Sequence, residues 1–227
     1  MVTETELVHE IVLACRGLAA NGCDTGIGGH VSMRGSDGES FYMNVFDRTL
    51  GEITHDDVLH LDFEGNKLGG TRPVSEGWGF HADIYKMRSD VDAIVHTHAF
   101  WVTMLASLNR PLKMRHNLCT LFHEKQVMSP DDRFENIGPA LEGGNHTIII
   151  PWHGAITVGD DLHRTAARMV TLERMAHMDV ELEGTDAPEL PEEARLGLRK
   201  LIDDVSGYLE LTWDVMVRQA EESLAAN

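Results

Sequence analysis

The segment from Gly26 to Gly70 limits the fold most strongly. Three short runs of strand-forming residues, His30–Met33, Ser40–Val45 and Val58–Asp62, are broken by Gly-Ser-Asp-Gly after the first and Glu-Gly-Asn after the third. These turn sequences combine residues that tolerate positive φ with side chains that bond their own backbone, so they reverse the chain and favour antiparallel pairing. A meander of this kind must bury its apolar side chains against something, and the flanking sequence supplies helices. Thr3-x-x-Glu6 has the capping-box pattern, and Leu7, Val8, Ile11, Val12, Cys15, Leu18 and Ala19 follow at helical spacing until Asn21-Gly22. Beyond the meander the pattern predicts a helix from about Gly77 to Arg88, a strand Val91–His98, a helix Phe100–Leu108 and an apolar run Thr147–Pro151. Asp160 or Asp161 can cap a further helix that carries Ala166, Met169, Val170, Leu172, Met175 and Ala176. Polar residues between Glu183 and Glu193 read as a loop before a last helix, from about Pro191 to Ala220. Helices set apart from a mainly antiparallel sheet make an α+β domain, or a three-layer α/β/α one if both faces are covered. A chain of 227 residues has room for a real core, and Met1 to Asn227 reads as one domain.

Charge removes whole classes of function. Nineteen Lys and Arg against 37 Asp and Glu leave a formal charge of −18, a field that repels phosphate backbones and anionic lipid. Nucleic acid and membrane are therefore not expected as partners. No apolar stretch approaches the roughly 18 residues of a membrane span, and Met1–Glu6 lacks a basic leader region. Cys15, Cys23 and Cys119 are widely spaced without a Cys-x-x-Cys, which indicates neither a disulfide framework nor a thiolate metal site. A reduced, cytoplasmic protein is expected.

Histidine is the outlier, with 13 in the chain. In Val95-His96-Thr97-His98 two imidazoles sit at i and i+2, and because strand side chains alternate, both project from one side within reach of one cation. A third, in Ile150-Pro151-Trp152-His153-Gly154, follows an apolar strand and adjoins a glycine that allows close approach. Three neutral imidazoles with one open position describe a catalytic zinc site. Upstream of the helix bearing His81, Ile84 and Tyr85 lies Thr71-Arg72-Pro73-Val74-Ser75-Glu76. Glu76 falls in or next to the first turn, where exposed N–H groups favour its ionised form and leave it able to accept a proton. Arg72 supplies a fork suited to a carboxylate.

Taken together these motifs resemble the class II aldolase/adducin family. The resemblance runs from roughly Leu7 to Val180 through Gly29-His30-Val31-Ser32-Met33-Arg34, Ser75-Glu76 with His81, the Arg88–His98 run, His153-Gly154 with Gly159, and Leu172-Glu173. It implies a three-layer α/β/α fold around a mixed, mostly antiparallel sheet. It also implies a divalent metal on His96, His98 and His153, zinc by ligand type with manganese, iron or cobalt as alternatives, and Glu76 as acid/base. A four-fold homotetramer with sites at subunit boundaries is implied as well, in which His123, from the irregular Met114–Glu124 segment, reaches a neighbour's metal as proton donor.

Three positions depart from the sugar-phosphate members of the family. His30 replaces an Asn, Met43-Asn44-Val45-Phe46-Asp47 replaces a hydroxyl-rich loop, and Val74 replaces the first Ser of a pair, of which Ser75 remains. The expected substrate is accordingly a non-phosphorylated hydroxy or keto carboxylic acid, aromatic members included, contacted by His30, Arg72 and Ser75. Decarboxylation through a metal-stabilised enolate is the leading expectation and retro-aldol cleavage the alternative, since both leave the same enolate. An iron oxygenase would need the same histidines, and a non-catalytic adducin-like interaction module would need neither them nor Glu76.

Overall fold

The computed structural model describes residues 3–24 and 26–226. Met1, Val2, Thr25 and Asn227 lie outside it, and with them both ends of the expected domain and the start that was read for a leader. The first helix, α1 (Glu4–Ala20), begins on the expected capping box: Thr3 Oγ1 accepts from Glu6 N–H, and the Glu6 carboxylate accepts from Thr3 N–H at 2.6 Å. Strands β1 (His30–Arg34), β2 (Ser40–Asn44), β3 (Val58–Asp62) and β4 (Lys67–Gly69) form the antiparallel meander. Its turns work through aspartates: Asp37 accepts from Glu39 and Ser40 N–H, and Asp62 accepts from Glu64 and Asn66 N–H.

Helix α2 (Trp78–Met87) leads to β5 (Ala93–Thr97), which pairs antiparallel with β1 so that His30 faces His96 across the ladder. After α3 (Phe100–Ser107) come β6 (Gln126–Met128), α4 (Phe134–Leu141), β7 (Thr147–Ile150) and β8 (Gly154–Gly159). The eight strands lie in the order β4-β3-β2-β1-β5-β8-β7-β6, and only the β6–β7 pair is parallel. The chain closes with α5 (Leu162–Glu181), α6 (Glu192–Lys200) and α7 (Tyr208–Ala225).

One helical layer is made by α1, α3, α5 and α7, with α1 on β1 and β2 and α5 on β5 and β8. On the opposite face Ser32, which alternates with Val31 along β1, hydrogen-bonds His81 and Tyr85 of α2, and α2 packs on α4. The fold is thus the three-layer α/β/α arrangement.

Two expected elements differ. The strand read as Val91–His98 spans only Ala93–Thr97, which leaves His98 just past its end. The single last helix is two, because Leu201–Val205 widens into a π turn and Gly207 adopts φ +65°, a conformation that ends one helix and redirects the next. Cys15, Cys23 and Cys119 are free and buried. Among the described residues no helix is long and apolar enough to cross a membrane.

Candidate metal centre

His96 sits on β5 and is almost fully buried, and its Nδ1 lies 3.0 Å from the carbonyl oxygen of Ala155 on β8. A carbonyl can only accept, so Nδ1 carries the proton and Nε2 presents its lone pair. His98, two residues on, and His153, in the turn between β7 and β8, bring their Nε2 atoms to the same point. His98 Nε2 is 2.9 Å from His96 Nε2 and 2.8 Å from His153 Nε2. The three form the one His/Cys/Asp/Glu group of metal-binding geometry among the described residues, with ligand atoms within 4.8 Å of one another.

The donor set is suited to a cation. One ring N–H on His98 Nε2 can be donated to only one of its two neighbours, so a proton leaves part of the cluster lone pair against lone pair. A divalent ion would satisfy all three nitrogens. Burial, followed by the positive charge its histidine neighbours would carry, holds His96 well below the ordinary imidazole pKa; burial and His153 lower His98 as well. Neutral imidazole is the ligating form.

The backbone around the three rings is tightly fitted. A Cβ at Gly154 would lie 2.3 Å from the carbonyl oxygen of Thr97 and 3.2 Å from His98 Cδ2, so only glycine lets β8 start there. Trp152, 73 % exposed, holds φ +58° immediately before His153, a costly conformation for an aromatic residue. Glu173 of α5 is buried and accepts from the N–H groups of Trp101 (3.0 Å) and Val102 (2.8 Å). It thereby caps α3, whose own N-cap, Ala99, has no side chain for the purpose.

The other expected site residues fall in different places. Glu76 is exposed in the turn before α2. Ser75, beside it, is buried; its Oγ lies 2.7 Å from His30 Nε2 and accepts from Gly77 N–H. His30 is buried 5.4 Å, centroid to centroid, from the His96 ring, and its Nδ1 has no partner. The Asn44 amide is taken up by backbone, accepting from Val31 N–H and donating to the carbonyls of Gly29 and Val45.

Arg72 requires a correction. Its guanidinium is held by Asp47 at 2.7 Å and Asp57 at 3.3 Å, so the fork expected to grip a substrate carboxylate already grips two of the protein's own. His123 is buried, 3.3 Å from Glu192, and does not join the three histidines of its own chain. The sequence reading gave no role to Glu173 as a cap, to the Ala155 carbonyl or to the Ser32–Tyr85 contact. For Glu173 the available signals were its place in the Leu172-Glu173 motif and a carboxylate on an otherwise apolar helix face.

Comparison with known proteins identifies the family and the fold. Residues 9–180 match the model of the class II aldolase and adducin N-terminal domain. An L-fuculose phosphate aldolase of Methanococcus maripaludis is 29% identical over 178 residues, covering 75% of this chain and 94% of that one. A 5-methylthioribulose-1-phosphate/5-deoxyribulose-1-phosphate aldolase of Rhodospirillum rubrum is 29% identical over 177 residues, covering 75% and 78%. The solved L-fuculose 1-phosphate aldolase of Glaciozyma antarctica superposes with a TM-score of 0.88 at 24% identity, over 96% of this chain and 91% of that one. With the family's domain model matched across most of its length, the chain belongs to the class II aldolase/adducin family.

Proposed function

We propose that the protein is a divalent-metal-dependent carbon–carbon lyase of the aldol type, with the ion on His96, His98 and His153. The convergence of the three Nε2 atoms carries this reading. Zinc suits a set of three imidazoles, with manganese, iron or cobalt as alternatives. When bound, the ion supplies Lewis acidity, drawing electron density from a substrate carbonyl or hydroxyl oxygen. Relatives named as aldolases favour retro-aldol cleavage over the decarboxylation placed first by the sequence reading. Loss of the free Arg72 fork takes away the anchor on which the carboxylic-acid substrate rested.

In the proposed reaction Glu76 takes the proton of the β-hydroxyl, the carbon–carbon bond breaks, and its electron pair passes to an enolate. A second group returns a proton to the enolate carbon. His123 of a neighbouring subunit in a homotetramer is our assignment for that donor. The substrate is a non-phosphorylated hydroxy-carbonyl compound, because His30, Ser75 and Asn44, where phosphate donors would stand, bond to one another or to backbone. Metal content and product release test the reading. Wild type should hold one ion per chain and release an aldehyde from a β-hydroxycarbonyl panel, and His96→Ala should lose most of the ion. CO₂ release without aldehyde would return decarboxylation to first place, and full occupancy in His96→Ala would refute the ligand assignment.

A further inference from the structure

A buried cation that joins no ion pair among the described residues lies at the far end of β8. Arg168 of α5 is only 6 % exposed. Its Nη1 makes a single long contact, 3.4 Å, to the Val158 carbonyl, its Nε has no partner, and among the described residues it joins no ion pair. All but Asp160 of the acids around it are committed elsewhere. Asp203 holds Arg164 at 2.6 Å, Asp90 holds Arg88 at 2.7 Å, Asp92 holds Arg34 at 3.0 Å, and Asp161 caps α5 through His163 N–H. A guanidinium taken out of water without an ion pair is one of the costlier arrangements in a folded chain.

The side chain lines a cavity of about 320 Å³, whose walls also include Arg88, His146, Gly159 and three carboxylates, Asp90, Asp92 and Asp160. His146 is kept neutral, by burial first and then by the Arg168 charge. Its Nδ1 lies 2.9 Å from Thr147 Oγ1; in the tautomer that accepts there, Nε2–H is left as a donor. We propose that this cavity is a binding site for a small oxyanion, most simply a phosphate group, held by the Arg168 fork with His146 as a neutral donor. An arginine fork matches two oxygens of such a group. The site is separate from the metal centre: β8 starts at Gly154 beside His153 and ends at Gly159 on the cavity wall, about 16 Å away at the usual rise per residue. Asp160 is the built-in competitor, a carboxylate that an incoming anion must displace or tolerate; Asp90 and Asp92 on the same walls are held by Arg88 and Arg34.

Calorimetric titration of inorganic phosphate into the full chain tests this, with Arg168→Met, Arg168→Lys and Asp160→Asn alongside and thermal melts to verify folding. Wild type should bind saturably. Arg168→Met should weaken binding by about 10–100-fold, the worth of a charge-assisted contact, and Arg168→Lys by less. Asp160→Asn should tighten it. No binding to wild type at millimolar phosphate overturns the proposal, as does equal binding by wild type and folded Arg168 variants. If both Arg168 variants fail to fold, Asp160→Asn decides: tighter binding supports the site and unchanged binding refutes it. A change of oligomeric state in the Arg168 variants, with no phosphate bound by wild type, would give the counter-charge to a second copy of the chain and refute a small-anion site.

Discussion

Gly154→Ala adds one methyl group at the point where β8 meets β5, and the geometry fixes its effect. The new Cβ would stand 2.3 Å from the Thr97 carbonyl oxygen and 3.2 Å from both the Thr97 carbonyl carbon and His98 Cδ2. Ordinary carbon–oxygen contact needs roughly 1 Å more, and the obstructing atom is backbone in a central strand, so no side-chain rotation relieves it. Overpacking of this kind costs about 1–3 kcal/mol, and a backbone obstruction belongs at the upper end. At about 2–4 °C per kcal/mol for a chain of this size, the melting temperature should fall by about 6–12 °C. Because the displaced atoms are Thr97 backbone and the His98 ring, metal content should fall too. Calorimetry with and without chelator, together with elemental analysis, reads both effects. Gly197→Ala in α6, where the added Cβ meets nothing within 4 Å, is the control and should stabilise by roughly 0.5–1 kcal/mol. If Gly154→Ala melts with wild type and keeps its metal, the tight β5–β8 packing that frames the three histidines is wrong.

Glu76→Gln keeps volume and hydrogen bonding but cannot take a proton, so turnover should fall by roughly 10²–10⁴-fold with metal retained; unchanged turnover in a steady-state assay would place the base elsewhere. Glu173→Gln can satisfy only one of the two N–H groups at the start of α3 and should cost about 1–3 kcal/mol in a denaturant titration. His163 donates to Glu10 at 2.7 Å, and that bond raises its pKa above the ordinary 6.5. The folded chain therefore holds a proton that the unfolded chain releases. This contribution is complete below 6.5 and is lost as pH rises through the folded value, so His163→Asn should flatten the decline in denaturant midpoint as pH rises above 6.5. An identical slope in both proteins would show that the pair adds nothing.

Much of this architecture was legible because it rests on local rules. Thr3 and Glu6 cap a helix by their spacing alone, Asp37 and Asp62 make turns with their own backbone, and the i, i+2 spacing of His96 and His98 brings their rings together even though His98 lies just past the end of β5. What escaped depends on partners distant in the chain. Arg72 looked like an open fork because Asp47 and Asp57 reach it only after the meander folds. The Nδ1 proton of His96 is set by a carbonyl 59 residues away, which only the β5–β8 register supplies. Gly207 was hidden inside an apolar helical period, where the pattern carries no sign of a positive φ.

The order of strands also bears on how the site comes into being. His98 and His153 are separated by 55 residues, and they meet only when the β7–β8 hairpin docks antiparallel on β5. Closing a loop of that length costs about 3.5 kcal/mol in chain entropy beyond the constant for a contact, and no short-range pairing repays it along the way. Helices α1 and α5 carry their own periodicity and end caps, so they can form before that closure. The three-histidine cluster is therefore a late product of folding, and a cation captured there binds only chains whose central strands have found their register.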